Sequence, residues 1–428
     1  MLDSAIGDKP KFDVSIILIY LALIVIGWLS IYSVASVEAQ GSIFDIDQVY
    51  GKQFIWIILA LALIVIILAI EVKFFERFAG LIYVVSLLSL LGLFVFGKEI
   101  AGARSWYSIG SMSLQPSEFA KFATALALAK YLSQLDVSVK DIKHFLIASL
   151  IILLPAIFIV PQPDPGSALV YAAFFFALHR EGLSAWFLLF GLIGLTIFLG
   201  TILAGPWWIT GLILVVVVIL FLLSRKRYQK RISKKPKVSW YIAAMVAFVG
   251  LAFAVQPIYE NVFSARHRNR IDIVLGLVED TQGIQYNIIQ SKIAIGSGGL
   301  TGKGYLQGTQ TQGGFVPAQD TDFIFSAIGE EFGLLGAGIV VALFVLLIYR
   351  LIIMAERQRN QFARVYGYGV AGIFFIHFFV NVGMVLGLLP TVGIPLPFMS
   401  YGGSGLWGFT ILLFTFVKLD AHRMSYQH

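Results

Sequence analysis

The stretch that decides the fold is residues 287–333, NIIQSKIAIGSGGLTGKGYLQGTQTQGGFVPAQDTDFIFSAIGEEFG. It is rich in Gly, Gln and Thr, whereas most of the remaining sequence consists of apolar segments. It places Asp322 directly before a hydrophobic run that begins with Phe323. A carboxylate at a membrane boundary is costly unless it has a partner or a function. We therefore predict an outward-facing catalytic loop with Asp322 at its centre.

The composition is that of a membrane protein. Of 428 residues, 58% are hydrophobic and only 13% are charged, and the mean hydropathy is +0.86. A soluble domain carries about 25% charged residues. The chain contains no cysteine, which excludes disulfides, thiolate nucleophiles and cysteine metal ligands. The net charge of +7 does not indicate a nucleic acid partner, because the excess of Lys and Arg lies in short loops between apolar segments.

Apolar runs recur from end to end, and each of about 18–25 residues is long enough to cross a bilayer core of about 30 Å. We predict an all-α polytopic integral membrane protein, a single membrane domain over residues 1–428 with about twelve transmembrane helices. The predicted spans are 14–35, 53–70, 78–96, 117–134, 144–161, 167–179, 185–204, 207–223, 238–256, 323–349, 365–388 and 403–419. The span at 117–134 carries Glu118, Lys121 and Lys130, which predicts a face turned to the bundle interior or a water-filled cavity.

Loop charges set the predicted orientation. Basic residues occur before the first span and in every second loop after it, including RKRYQKRISKKPK at 225–237. The alternate loops at 36–52, 162–166 and 389–402 hold almost no Lys or Arg. By the positive-inside rule both termini are cytoplasmic and the loop 257–322 is extracytoplasmic. This loop and the segment 97–116 are the two long outer segments, and long loops in compact proteins are usually functional.

Asp322 has two interpretations. It precedes a helix, and Asp is a good N-cap residue that suits the positive helix end. It is also placed for catalysis. Asp320 lies two residues away, and two close carboxylates push one pKa upward, which suits a general base or a divalent metal site. Both interpretations fit the sequence.

Other polar residues also allow a structural and a functional interpretation. Glu118 and Lys121 are three residues apart on one helix face and predict an internal ion pair. Asp164, between two prolines, suits a turn. Lys303 in the Gly-rich run 296–304 lies either in a turn with positive φ or beside an anionic ligand. The outer arginines at positions 104, 266, 268 and 270 are either headgroup anchors or bidentate ligands of pyrophosphate.

Several long motifs occur together and in order. They are ARSW at 103–106, QPSEFAK at 115–121, QPDPG at 162–166, the block from QSKIAIGSGGLTGKG to IGEEFG at 290–333, and GMVLGLLPTVGIPLPFMSYGGS at 383–404. This set resembles the SEDS family (shape, elongation, division, sporulation). The GTQ at 308–310 is similar to the elongation branch, which builds cell wall and cell shape, rather than to the cell division branch.

The resemblance implies a peptidoglycan glycosyltransferase in the bacterial inner membrane. Its substrates would be lipid II and the undecaprenyl-linked glycan, undecaprenyl diphosphate would leave, and a class B penicillin-binding protein would be its partner. Asp322 falls on the family's essential aspartate and is the expected general base of an inverting transfer. Membrane lipids would surround the protein. A divalent cation, Mg²⁺ or Mn²⁺, is a candidate cofactor with Asp320 and Asp322 as ligands. We expect substrate contacts from the following residues: Arg104, Glu118, Lys121, Asp164, Arg270, Lys292, Lys303, Thr321 and Ser400.

The sequence departs from the family in two places. Ala318, Gln319 and Asp320 stand where the family commonly has Glu-x-His. The family usually has ten helices, so residues 205–237 form a predicted inserted hairpin with a basic cytoplasmic loop. The alternative function is a lipid or solute transporter such as a lipid II flippase. A transporter places its substrate groups near the midplane, often on paired broken helices, whereas the polar residues here lie towards one side.

Overall fold

The computed structural model describes residues 12–35, 45–100, 102–110, 112–229, 237–261, 263, 265–278 and 283–423. It divides into two compact units, the first formed by Met1–Leu183 with Tyr286–His428 and the second by Ser184–Gln285. The basic loop at 225–237 is described only at its ends, since residues 230–236 lie outside the described part.

The first unit is built from helices, with one small sheet. Its long helices are α1 (Val14–Ala35), α2 (Val49–Ala69), α3 (Val72–Phe96), α4 (Pro116–Leu132), α5 (Ile142–Ile159), α14 (Ile324–Glu356), α15 (Gln361–Val385) and α16 (Gly403–Ala421). Shorter elements are α6 (Pro165–Leu169), a 3₁₀ turn (Val170–Ala173), α7 (Phe174–Arg180), α12 (Ile284–Ser297), which begins at the boundary of the units, and α13 (Thr309–Gln312).

The second unit consists of α8 (Ala185–Ala204), α9 (Pro206–Gln229), α10 (Val238–Asn261) and α11 (Ala265–Val274). Gly205 has φ of +83° and forms the tight turn between α8 and α9, a conformation that favours glycine. Helices α8, α9 and α10 pack against one another. The predicted hairpin 205–237 corresponds to α9 with the start of its link to α10, and its description as an insertion stays a prediction.

Ten helices in the described part of the chain are long and apolar enough to cross a membrane. The multi-pass helical fold is therefore confirmed, while the count of twelve is not. The other two predicted spans correspond to α4, which has 17 residues, and to the broken run from α6 to α7. Helix α4 lies in the core, where even Glu118 and Lys121 are buried.

The segment 97–116, predicted to lie on the outer side, contains β-structure that the sequence analysis did not predict. Strands β1 (Lys98–Ile100), β2 (Ala103–Ile109) and β3 (Met112–Leu114) form a three-stranded antiparallel sheet in the order β1-β2-β3. Tyr107 donates a hydrogen bond of 2.7 Å to the carbonyl of Ser89 and so fixes the sheet on α3. The sheet leads directly into Pro116 at the start of α4.

Ion pairs join helix ends at one end of the first unit. Arg350 near the end of α14 donates to Asp13 before α1 at 2.6 Å, and Arg357 pairs with Asp420 at the end of α16. Arg364 at the start of α15 pairs with Glu181 at 2.8 Å. All of these residues lie in or beside loops that the charge pattern predicts to be cytoplasmic, so one end of the bundle gathers them as that prediction requires.

Candidate functional site

Asp322 lies at the opposite end of α14 from those ion pairs, in a turn that precedes the helix. Helix α14 begins at Ile324, and its N-cap residue is Phe323, which makes no side-chain capping bond. The capping position predicted for Asp322 is therefore occupied by the next residue. The turn is organised by the carbonyl of Ala318, which accepts hydrogen bonds from the backbone N–H groups of Thr321 at 3.2 Å and Phe323 at 3.1 Å.

The backbone around Asp322 is held by the segment 381–401. Asn381 Nδ2 donates to the carbonyls of Asp322 at 2.9 Å and Ile394 at 2.8 Å. Ser400 Oγ donates to the carbonyl of Thr321 at 2.6 Å, and the backbone N–H of residue 401 donates to that of Asp320 at 2.8 Å. Three successive carbonyls, 320 to 322, are thus fixed, while the three side chains remain only half-buried.

Asn381 was missed by the sequence analysis, although it is completely buried and connects the two segments. An amide inside the apolar helix α15 is the signal that predicts such a role, because buried polar groups must be hydrogen-bonded. Ser400, predicted to contact substrate, is buried, and its hydroxyl donates a hydrogen bond to the carbonyl of Thr321. Its role in substrate binding stays a prediction.

The Asp322 carboxylate faces the loop 391–402. A Cβ placed on Gly393 would lie 3.6 Å from Asp322 Oδ2, and Gly393 has φ of +73°, where side chains are strained. Asp320 is half-buried, and this burial raises its pKa above the ordinary value for a carboxyl. The sequence analysis attributed a raised pKa to repulsion between the two carboxylates, whereas the cause at Asp320 is burial, and the role of Asp320 stays a prediction.

The residues present do not form a complete metal site. Among the described residues no group of three or more His, Cys, Asp or Glu side chains is placed to hold an ion. Mg²⁺ is usually bound by one or two carboxylates together with substrate phosphates. Asp320 and Asp322 fit only that partial role, so a metal at this position stays a prediction.

A buried polar network lies under the same loop. Lys121 Nζ is 2.8 Å from both carboxylate oxygens of Glu118 and 2.9 Å from His377 Nε2, and it also lies over the ring of Phe409. His377 Nδ1 is 3.2 Å from the carbonyl of Pro395. The predicted ion pair is confirmed, whereas its third member, His377, was missed. The network connects α4 and α15 to the loop that faces Asp322.

Asp164 links two further motifs to this end of the molecule. As N-cap of α6 it accepts a hydrogen bond of 3.1 Å from the backbone N–H of Ser167. It also accepts from Gln115 Nε2 at 3.0 Å, and the backbone N–H of Gln115 donates to Ser404 Oγ at 3.1 Å. A Cβ on Gly166 would clash with the carbonyl of residue 392. Three segments therefore meet near Asp322: the QPSE motif, the QPDPG motif, and the loop 391–402 with the start of α16.

Lys303, in the Gly-rich run, lies beside the carboxylate of Glu330, a residue of the same chain. Lys303 Nζ lies 2.7 Å from Oε1 of Glu330, a fully buried side chain of α14. Glu330 also accepts from the backbone N–H groups of Gln310 and Thr311, each at 2.8 Å. The Gly-rich run therefore folds around α14, as the turn interpretation predicts. The substrate contact predicted for Lys303 is untested, but its charge already has a partner.

The remaining predicted cations differ in their surroundings. Lys292 is exposed on α12 and has no hydrogen-bond or ion-pair partner among the described residues. Its helix is joined to α14 and α15 by Ser291, whose Oγ is 2.7 Å from Ser326 Oγ and 2.9 Å from the carbonyl of residue 385. Arg104 is exposed on β2. Arg270 lies in α11 of the second unit, so its relation to Asp322 stays open.

Comparison with known proteins adds independent evidence. The chain is 35% identical over 399 residues to peptidoglycan glycosyltransferase MrdB of Escherichia coli K12, which covers 93% of this chain and 90% of that protein. It is 32% identical over 445 residues to peptidoglycan glycosyltransferase RodA of Treponema pallidum, which covers 98% and 100%, respectively.

Solved structures share the fold. A chain from a peptidoglycan synthase complex, studied for the structural coordination of polymerization and crosslinking, matches with a TM-score of 0.69 and 25% identity over 98% of this chain and 99% of that one. The rod shape determining protein RodA of Thermus thermophilus matches with a TM-score of 0.61 and 23% identity, with 98% and 99% covered. The family model FtsW/RodA/SpoVE, described as cell cycle protein, matches residues 13–234 and 236–425. This chain therefore belongs to the FtsW/RodA/SpoVE family, which confirms the SEDS resemblance.

Proposed function

We propose that this chain, a peptidoglycan glycosyltransferase like its relatives, polymerises lipid II with Asp322 as the general base. The observation that carries the proposal is the position of Asp322. Its backbone is fixed by Asn381, and its half-buried side chain faces the loop where QPSE, QPDPG and 391–404 meet. A general base must be held within hydrogen-bond reach of the proton that it accepts.

The reaction needs one base and one stabilised leaving group. Asp322 takes the proton from the 4-hydroxyl of the acceptor GlcNAc as the oxygen attacks the anomeric carbon of the donor MurNAc. The bond from that carbon to undecaprenyl pyrophosphate breaks, and the anomeric centre inverts. No covalent intermediate forms, so a single carboxylate is sufficient.

The leaving pyrophosphate develops negative charge that cations must stabilise. Among the predicted candidates of the first unit, Lys292 and Arg104 are exposed, whereas Lys303 is paired with Glu330. This difference favours Lys292 and Arg104 for contact with phosphate. The network of Glu118, Lys121 and His377 is buried beneath the loop, and the substrate contacts predicted for Glu118 and Lys121 stay predictions.

The proposed location is the inner membrane, with the site on its outer face and both termini in the cytoplasm. The loop charges support this orientation. The proposed partner is a class B penicillin-binding protein that cross-links the product. A structural relative comes from a complex concerned with both polymerization and crosslinking, which supports that pairing.

Polymerisation of purified lipid II tests the proposal. We expect the purified protein, with a class B penicillin-binding protein present, to produce long glycan strands that lysozyme digests. A lipid II analogue that lacks the 4-hydroxyl of GlcNAc can act only as a donor, so the analogue supplied alone should give no polymer. Transport of lipid II across vesicles without any polymer would contradict the proposal.

A further inference from the structure

The second unit contains a basic sequence run whose described cations have no counter-ion among the described residues. Residues 225–237 contain eight Lys or Arg, and no Asp or Glu occurs anywhere from 184 to 259. Arg225, Lys226 and Lys237 have no hydrogen-bond or ion-pair partner among the described residues. The positive-inside rule explains why Lys and Arg occur in this loop, but it does not require that the flanking helices lack Asp and Glu.

Helices α8, α9 and α10 of the second unit line an apolar groove. It has a volume of about 950 Å³ and lies between α8, α9 and α10. Apart from Thr196 and Lys237, every side chain that lines it is apolar or aromatic. Apolar cavities of this size, about 300–1,000 Å³ with a few polar groups at one place, are typical of ligand sites.

One end of the groove reaches Lys237, at the start of α10. Trp186 in the first turn of α8 and Trp240 in the first turn of α10 line it beside Lys237. Tyr241 donates a hydrogen bond of 2.6 Å to Ser224, which holds the start of α10 against the end of α9. Tryptophan and Lys are the residues that anchor at the level of lipid headgroups.

The length of the groove matches one leaflet. Its lining on α8 runs from Trp186 to Ile197, which at 1.5 Å per residue is about 16 Å. Half of a bilayer core of about 30 Å is about 15 Å. A single acyl chain entering from the headgroup level would therefore extend to the end of the groove near the bilayer midplane.

We propose that this groove binds one anionic phospholipid from the leaflet on the basic side. Its phosphate contacts Arg225, Lys226 and Lys237, and one acyl chain occupies the space between Trp186 and Ile197. No Asp or Glu occurs from 184 to 259, and the lipid phosphate supplies the counter-ion that the described contacts of these cations do not. The groove selects a lipid over a soluble acidic segment, because a soluble ligand would leave its apolar walls unfilled.

Native mass spectrometry of the delipidated protein tests the site. Phosphatidylglycerol and phosphatidylcholine with identical chains are added separately in detergent. We expect one phosphatidylglycerol to bind with clear preference. The variant R225Q/K226Q/K237Q should lose roughly five-fold in affinity for each cation removed. Val216→Trp, which fills the middle of the groove, should lose binding with all charges kept.

The matched control is K73Q/R77Q/K143Q, which removes three exposed cations near the starts of α3 and α5, on the predicted cytoplasmic side. It should bind like wild type, and gel filtration should show all variants to be monodisperse; if the triple variant aggregates, Lys237→Gln alone replaces it. Equal binding of the two lipids, or wild-type binding by Val216→Trp, would overturn the proposal. Binding of polyglutamate in competition with phosphatidylglycerol would instead identify a dock for an acidic protein segment.

Discussion

At the scale of single residues, the geometry of Asp322 depends on Asn381. Its amide donates to the carbonyls of both Asp322 and Ile394, and it is completely buried. Because a buried carbonyl that loses its donor costs about 1–3 kcal/mol, Asn381→Leu should lower the free energy of unfolding by that amount. It should also reduce kcat of polymerisation by roughly 10²-fold, since a small misplacement of a reacting group has that effect.

Ser30→Ala is the control for this prediction. Ser30 is equally buried, but its hydroxyl bonds only to the carbonyl of Ile26 one turn earlier in the same helix. It should leave kcat within a few-fold of wild type. A stable Asn381→Leu variant with unchanged kcat would show that Asn381 does not position the base.

The residues around Asp322 also show the limits of prediction from sequence. Local patterns predicted the ion pair of Glu118 with Lys121, because three residues along a helix bring side chains together. His377 completes that network from 256 positions away, and no local pattern reports such a contact. The N-cap is Phe323 and not the predicted Asp322, because hydrogen bonds to segment 381–401 determine the turn before the helix.

At the scale of elements, the loop 303–311 is fastened to α14 through Glu330. Lys303 and two backbone N–H groups donate to this buried carboxylate. Lys303→Met should therefore destabilise the protein by about 1.5–3 kcal/mol, the contribution of a hydrogen bond to a charged group. Thermal unfolding and limited proteolysis of the loop measure the effect.

A double-mutant cycle with Glu330→Gln separates structure from substrate binding. If Lys303 acts only on Glu330, the double variant should be no less stable than either single variant, and its polymerisation should match that of Glu330→Gln alone. Strict additivity of the two stability losses would contradict the pairing. A further loss of polymerisation without a further loss of stability would place Lys303 on the substrate.

The elements that were predicted best are those with a long uniform pattern. The apolar runs of α1 and α10 are visible because about 20 residues are needed to cross the bilayer core. The sheet at 98–114 was read as a loop, since its strands are short and two of them have only three residues. Such strands carry too few residues to show alternation, and their pairing is decided by contacts with α3.

At the scale of the whole molecule, we expect Asp322 and the ion pairs of Arg350 and Arg357 to face opposite sides of the membrane. The chain has no native cysteine, so single cysteines can be introduced without background. Cysteines at Gln312, in α13, and at the exposed Ser138 should react with an impermeant maleimide from opposite faces. Labelling of both from one face would contradict the proposed topology.

We assign the general base to Asp322, and polymerisation of purified lipid II by the variant Asp322→Asn decides this assignment. Asn keeps the size and hydrogen-bonding capacity of Asp but cannot accept a proton as a base, so polymerisation should fall by at least about two orders of magnitude. Expression, thermal unfolding and lipid II binding should stay close to wild type. Asp320→Asn is the matched neighbour and should cost less. An Asp322→Asn variant that polymerises lipid II within a few-fold of wild type would contradict the account.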